Sequence, residues 1–206
     1  MSFSTAEAVI LVISGLCTKL LEEEGMVGTS DNPEALFEAG TLRTFPRGDV
    51  IDADRFEGYV LVIAITPLLP GMAAYYYDMM EYLHTVFAPM VEFVLLPIDH
   101  GHGVHIKTRE ERSGKCGRVV VLEEESAITV TKTHSWINHL ISIKPRSGLG
   151  EKEEGNGVTA IEQRPLQTDR VTIYIVSADG YYIERMISPS MNNLKQKIRI
   201  YTKTID

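Results

Sequence analysis

The segment "DHGHGVH", residues 99–105, brings together side chains that bind metal ions. Its candidate ligands are Asp99, His100, His102 and His105, and Cys116 follows further along the same polar stretch. Imidazole, carboxylate and thiolate groups are the ligands that zinc takes in proteins, so this set could complete a tetrahedral site. The spacing matches no familiar zinc motif, and glycine-bearing loops with several histidines also occur as plain surface. A zinc-binding module and an ordinary loop both stay open.

Cys116 could also carry redox chemistry. It lies in "SGKCGRVVV", close to Lys115 and Arg118, and neighbouring cations lower the pKa of a thiol and favour the reactive thiolate. A thiol peroxidase or redox sensor centred on Cys116 is therefore one hypothesis, and an ordinary cysteine in a loop or at a strand edge is the other. Cys17 falls on the apolar face of a predicted N-terminal helix, where cysteine behaves as a small hydrophobic residue. Two cysteines without a C-x-x-C motif indicate a reducing compartment.

The composition argues against several other kinds of function. The 206 residues are 44% apolar and 23% charged, which is typical of a globular chain with a sizeable core. A net charge of −8 repels a phosphate backbone, so nucleic acid is not an expected partner. Neither a P-loop nor a Rossmann glycine fingerprint occurs, and we expect no bound cofactor.

Two further groups of residues are interpreted as structural. His134 and His139 are five positions apart, which does not place them on one face of a helix. The run Tyr75 to Tyr77 is interpreted as part core and part surface of one helix, because successive helical residues point about 100° apart.

These residues must be positioned by strands and helices that the sequence marks clearly. "YVLVIAIT", residues 59–66, is a continuous apolar, β-branched run and predicts a central strand covered on both faces. Apolar residues then recur at helical spacing from Met72 to Phe87, and "MVEFVLLP", residues 90–97, predicts a second buried strand. This order predicts a βαβ unit with parallel strands.

The rest of the chain predicts a hairpin at each end of the main domain and two more helices. "TLRTFPRGDVIDADRFEG", residues 41–58, alternates around a turn, and "RVVVLEEE", residues 118–125, is strand-like. A helix is expected over residues 134–143 and an exposed connection over 145–168. The turn "ADG" joins "RVTIYIVS" to "YYIERMIS", and a last helix runs over about 189–201.

The N-terminal part is interpreted as an extension, residues 1–39, in front of a main domain at residues 40–206. Ser4 and Glu7 fit a capping box that starts an apolar helix too short to cross a membrane. Residues 25–32 are rich in turn formers and predict a linker, which a second short helix over residues 33–39 follows. We expect no membrane span and a helix that is buried on the domain or on a partner.

The element order and several short motifs resemble the glutathione-peroxidase branch of the thioredoxin fold from about Leu42 to Ile200. Family members have a "VLIVNVA"-like strand, matched here by "YVLVIAIT", and a "GFPCNQFG"-like segment, matched by "LLPIDHG". The family's "HPLYKYLK"-like helix is matched by "HSWINHLISIKP", and its "WNFTKFLVDRNGxxVxRYxP" by "DRVTIYIVSADGYYIERMISP". The resemblance implies a thioredoxin-like three-layer α/β/α fold with a central mixed sheet.

The same resemblance implies where a peroxidase would keep its catalytic residues, and this chain replaces all of them. The family's cysteine position corresponds to Leu69 or a neighbour within two residues, and its glutamine, tryptophan and asparagine positions correspond to His100, Asp169 and Arg170. Pro67 and Pro70 flank the first of these positions, and no proline lies between residues 97 and 145 to supply a cis-proline beside the site. The resemblance therefore predicts no catalytic residues and no peroxidase reaction.

The function predicted from these observations is that of a catalytically inactive glutathione-peroxidase-like protein, a structural or interaction subunit of a larger assembly. Its protein partners would be contacted through the N-terminal helix, and its location would be intracellular, in the cytoplasm or a mitochondrion. The alternatives are a thiol peroxidase or redox sensor that uses Cys116, and a zinc-binding module that uses His100, His102 and His105.

Overall fold

The computed structural model describes residues 26–29, 36–38, 40–101, 117–126, 135–141, 144–145 and 169–203. Within them, eight strands form one mixed sheet and two more pair as a separate hairpin. The strands are β1 (Met26–Thr29), β2 (Thr41–Arg43), β3 (Val50–Asp52), β4 (Val60–Pro67), β5 (Val91–Asp99), β6 (Val120–Val121), β7 (Glu125–Ser126), β8 (Lys144–Pro145), β9 (Thr172–Val176) and β10 (Tyr182–Ile187). The helices are α1 (Met72–Phe87), α2 (Ser135–Ile141) and α3 (Met191–Thr202), and a 3-10 turn covers Ala53–Phe56.

The sheet is built around β4. Its order is β6-β5-β4-β9-β10-β1-β8, with β7 also paired to β5. β4 pairs in parallel with β5 and antiparallel with β9, and every residue of β4 is buried. The predicted central strand and the predicted βαβ unit with parallel strands are both confirmed.

One face of the sheet is covered by α1 and α3. Because side chains alternate along a strand, Val60 and Val62 of β4 point to this face. They belong to one apolar cluster with Leu83 of α1 and both Leu194 and Ile198 of α3. The apolar residues whose periodicity predicted α1 thus lie on the side of the helix that packs on the sheet.

The opposite face is covered by α2 and by the segments that precede β4. Leu61 and Ile63 of β4 cluster there with Trp136 of α2 and Phe56 of the 3-10 turn. The rings of Phe56 and Trp136 meet edge to face with centroids 5.6 Å apart. The layers on both sides of the sheet confirm the predicted three-layer α/β/α fold.

The other predicted elements are confirmed with small shifts of their ends. β2 and β3 form the predicted N-terminal hairpin, in which Thr41 pairs with Asp52. β9 and β10 form the hairpin around "ADG", and α3 follows it. The strand-like stretch "RVVVLEEE" contains the short strand β6 and the first residue of β7, and both strands pair with β5.

The linker prediction is wrong for residues 26–29. These residues form β1, which pairs antiparallel with β10 and with β8. Backbone hydrogen bonds to a neighbouring strand can hold a short segment extended despite a glycine and a threonine that are common in turns. The exposed connection was also predicted to begin at Pro145, but this residue lies in β8.

Most of the predicted N-terminal extension lies outside the described residues. This applies to the first helix and to most of the second one, predicted over residues 33–39. Of the second, Leu36 and Phe37 are described and buried in the cluster beneath α2. The division of the chain at residue 39 stays a prediction.

The start of α3 offers a test of the local sequence signal. Ser190 caps the helix, and its hydroxyl oxygen accepts a hydrogen bond from the backbone N–H of Asn193 at 3.3 Å. Ser190→Ala removes this acceptor, and we expect it to lower the free energy of unfolding by about 1 kcal/mol in urea titrations. Ser190→Asp retains an acceptor and adds favourable charge at a helix N-terminus. A loss of equal size in Ser190→Asp would contradict the capping role.

Candidate functional site

The four positions that the resemblance assigns to peroxidase residues lie at one edge of the sheet. Pro67 of β4 is level with Ile98 of β5, and Ile65 of β4 is level with Thr172 of β9. Leu69 follows β4, His100 follows β5, and Asp169 and Arg170 precede β9, so each lies just beyond this row of paired residues. The carboxyl ends of adjacent strands are where α/β sheets place their ligand and catalytic sites. The structure thus places all four positions where a reaction centre would be.

The loop that would present a nucleophile is fixed by its own backbone. The N–H of Leu68 donates to the carbonyl of Ile98 at 2.9 Å, and the N–H of Leu69 donates to that of Pro67 at 2.9 Å. The N–H of Met72, at the start of α1, donates to the carbonyl of Leu69 at 3.2 Å. Leu68 is fully buried in the apolar cluster under α1. The loop therefore turns one leucine into the core and leaves Leu69 partly buried at the edge.

The described side chains at this edge offer no activated nucleophile. Leu69 is a hydrocarbon, Asp169 and Arg170 are exposed, and His100 is half-buried. Thr66, the second-last residue of β4, is buried, and its hydroxyl has no hydrogen-bond partner among the described residues. Because a hydroxyl must be activated by an adjacent base, Thr66 is not equipped for nucleophilic attack. The described part of the edge has polar groups but no set that performs covalent chemistry.

A second polar arrangement lies on the flank of α1. The buried Glu81 carboxylate accepts hydrogen bonds at Oε1 from the Tyr77 hydroxyl at 3.1 Å and from the backbone N–H groups of Arg118 and Val119 at 2.7 and 3.0 Å. Gly117 packs against this arrangement so closely that a Cβ there would lie 2.8 Å from the Tyr77 hydroxyl oxygen. Glu81 therefore attaches the segment before β6 to α1.

A pocket of about 340 Å³ lies beside this attachment. It is bounded by the β2–β3 hairpin, by Tyr77 of α1 and by the residues around β6. Its charged side chains are Arg47, Asp49 and Arg55. The size suits a small molecule, but the mixed charge and the absence of a buried catalytic group in the described lining indicate no particular reaction.

The sequence alone did not identify Glu81 or the pocket. The detectable signal was one carboxylate on the apolar side of α1, four residues after Tyr77, a spacing that places both side chains together on a helix. Its backbone partners, at Arg118 and Val119, are remote in sequence, so the spacing could not reveal them.

Several sequence candidates cannot be placed. His102, His105, Cys116 and Cys17 lie outside the described residues. The proposed zinc set is therefore represented here by Asp99 and His100 alone, and the proposed redox thiol is not described. Among the residues that are described, no three His, Cys, Asp or Glu side chains come close enough to hold a metal ion. None of the helices in the described residues is long and apolar enough to cross a membrane.

The run Tyr75 to Tyr77 and the pair His134 and His139 are the two groups interpreted as structural and not as parts of a functional site. Tyr76 and Tyr77 are buried and Tyr75 is exposed, which confirms the interpretation of part core and part surface. Burial, followed by the nearby Tyr75, raises the pKa of Tyr76. His139 is half-buried on α2, and burial lowers its pKa. His134 lies outside the described residues.

The sheet order, the two covering layers and the edge site together define a thioredoxin-like α/β protein. Among solved structures, the apo form of Trgpx matches with a TM-score of 0.51 and 16% identity, over 82% of this chain and 95% of that one. T. cruzi GPX1 matches with a TM-score of 0.51 and 10% identity, over 79% and 94%. At these identities the likeness shows the fold alone. It confirms the thioredoxin-like α/β fold that the sequence motifs predicted, and the glutathione-peroxidase-like branch stays a prediction.

Comparison with protein-family models and with curated proteins gives no match.

The close approach at Gly117 gives a test of the arrangement on α1. Its φ angle is not in the left-handed region, so space and not backbone conformation limits the side chain. We expect Gly117→Ala to lower the free energy of unfolding by about 2 kcal/mol, because the added Cβ would displace Tyr77 or Glu81. Urea titration of the full chain measures this loss.

Tyr77→Phe supplies the matched background for that test. It removes the hydroxyl oxygen nearest to the added Cβ, so Gly117→Ala should cost less in Tyr77→Phe than in the unmodified chain. An equal cost in both backgrounds would show that Tyr77 does not limit the space at Gly117.

Proposed function

We propose that this protein is a catalytically inactive thioredoxin-fold protein that serves as an interaction or structural subunit. The observation that carries the proposal is Leu69, a leucine at the position where the resembling peroxidases keep their nucleophile. The thiolate is the group that attacks a peroxide, and a hydrocarbon side chain has no electron pair to donate.

The surroundings of Leu69 support the same conclusion. A peroxidatic thiolate is stabilised by donors and positive charge arranged around it. At this edge, His100, Asp169 and Arg170 replace the amide and indole groups that the resemblance leads one to expect, and the loop directs Leu68 into the core. A single replacement is compatible with a variant enzyme. Replacement of the whole group favours a scaffold whose surfaces, rather than its edge site, carry the function.

The interaction role rests on the predicted N-terminal helix. An apolar helix face is unfavourable in water unless it is covered, and a partner protein is the cover that we propose. The same argument makes a permanent assembly the expected setting, in the cytoplasm or a mitochondrion. The zinc-binding and Cys116-centred alternatives are outcomes that the following experiments would reveal.

The reaction is tested with the purified full chain and hydrogen peroxide, with dithiothreitol or thioredoxin and its reductase as electron donor. We expect peroxide consumption at the rate of the donor alone, and the same rate in Cys116→Ser. Turnover above this background that disappears in Cys116→Ser would contradict the proposal and identify a thiol peroxidase.

Leu69→Cys tests whether the missing nucleophile is the sole defect. We expect a thiol of ordinary reactivity without catalytic turnover, because the groups that lower a thiol pKa and orient the peroxide are replaced as well. Titration of the thiol with iodoacetamide across pH checks its reactivity, and the peroxide assay checks turnover. Leu68→Cys, one residue earlier and directed into the core, is the control for a thiol that is merely present.

The assembly is tested by the size of the native protein in a gentle extract of its own cells. We expect migration well above the 23.0 kDa of one chain, with the same proteins co-migrating at fixed ratios through two separations. Migration as a free monomer would remove the basis for the interaction role, and zinc in stoichiometric amount in the untagged protein would favour the metal-binding alternative.

A further inference from the structure

Three apolar side chains form an exposed line along α1. Tyr75, Tyr82 and Val86 are 53%, 48% and 41% exposed, although the opposite side of the helix packs in the core. Their spacing of i, i+7 and i+11 keeps them within about 40° of one another around the helix, and the line is about 16 Å long. We call it the α1 line.

A line of positive charge runs along α3. Lys195, Arg199 and Lys203 follow each other at spacings of four residues, which places them on one side of the helix and its C-cap. Residues 191–202 contain no Asp or Glu. Like charges four residues apart slightly destabilise a helix, whereas Arg199 in the last turn and Lys203 at the C-cap interact favourably with the helix dipole. Lys195 lies before the last turn, where the dipole has little effect. We call this line of positive charge the α3 line.

The two lines lie side by side. The Tyr76 hydroxyl donates to the carbonyl of Pro189, just before α3, at 3.4 Å, and the Lys195 ammonium lies 6.0 Å from the centroid of the Tyr82 ring. From the first contact to the second, both chains advance by six residues, so α1 and α3 run in the same direction. The surface therefore presents an apolar line with a basic line parallel to it.

We propose that this surface, the α1 and α3 lines together, binds an acidic amphipathic helix of a partner protein. The partner's apolar residues would cover Tyr75, Tyr82 and Val86, and its carboxylates would face Lys195, Arg199 and Lys203. Helix-in-groove recognition works in this way, with apolar anchors at helical spacing and charges that set the orientation. The inference rests on the proposed interaction role and names a surface for it.

The charges of the surface distinguish this occupant from others. A second copy placed on the same surface would bring the six cations of two α3 lines into one interface, and like charges across an interface are unfavourable. Nucleic acid and anionic membranes bind through larger areas of unmixed positive charge than the three cations of the α3 line provide, and Asp78 is exposed on the neighbouring α1.

The probe is a fluorescein-labelled helical peptide of about 18 residues, with Leu at i, i+4, i+7 and i+11 and Glu on both sides of this line. Two comparison peptides have Lys in place of every Glu, or the same composition in scrambled order. We expect saturable binding of the acidic peptide to the full chain by fluorescence anisotropy, and affinity at least about tenfold lower for each comparison peptide.

Variants locate the binding on the surface. Lys195→Glu/Arg199→Glu and Tyr82→Ala should each lower the affinity about tenfold or more. Arg55→Glu lies beside Phe56, whose ring packs with α2 in the opposite layer, and Tyr181→Ala lies at the turn between β9 and β10. Tyr181→Ala matches Tyr82→Ala in size, and Arg55→Glu makes one charge reversal of the kind that Lys195→Glu/Arg199→Glu makes twice. Each control should stay within about twofold of the unmodified chain. Thermal unfolding of every variant verifies that the fold is retained.

The outcomes separate this inference from the proposed function. No saturable binding, or equal binding of the acidic and lysine peptides, would overturn it. Tighter binding to single-stranded RNA or to phosphatidylserine vesicles that is lost in Lys195→Glu/Arg199→Glu would overturn it as well and reassign the surface. If the protein consumes peroxide and still binds the acidic peptide, the inactive-subunit proposal is refuted and the inference about this surface is retained. If the protein is inactive and does not bind the peptide, the inference about this surface is refuted and the partner binds elsewhere.

Discussion

The structure depends on the burial of β4. Every residue from Val60 to Pro67 is buried, so both faces of the strand must be covered by other elements. This requirement brings α1 and α3 to one side and α2, with Phe56, to the other, and it leaves the ends of the strands as the accessible part of the sheet. The location of the edge site is thus a consequence of how the core is packed.

The packing and the edge site are carried by different residues, which explains how one can be retained without the other. Residues inside β4, β5 and β9 make the core contacts, whereas Leu69, His100, Asp169 and Arg170 lie beyond the paired rows. Changes beyond those rows leave the buried apolar area nearly intact. Loss of a thiolate site also removes the need to hold a charged nucleophile in a partly desolvated place, a requirement that commonly opposes stability.

The sequence predicts best the elements whose signal is local. Apolar periodicity located α1, continuous β-branched runs located β4 and β5, and "ADG" located the turn between β9 and β10. β1 was missed because its reason to be extended is the pairing of Met26 with Arg185, far away in sequence. The attachment of Glu81 to Arg118 and Val119 was missed for the same reason. Strand order places the four edge positions beyond the same row of paired residues, and their correspondence to peroxidase residues stays a prediction. The surface of α1 and α3 could not be predicted from the sequence, because it depends on contacts between two helices that are remote in the chain.

The exposed residues of α1 gain meaning from the neighbouring helix. Alone, Tyr75, Tyr82 and Val86 are ordinary, because much of any protein surface is apolar, and three cations on α3 would equally be ordinary in isolation. Their alignment is not required by the core, since Leu83, Leu194 and Ile198 already provide the contacts that hold both helices to the sheet. In a chain of net charge −8, a helix without acidic residues beside an aromatic line concentrates positive potential next to apolar area. That combination favours a ligand that offers both complements at helical spacing, and a peroxide substrate at the far edge of the sheet would use neither.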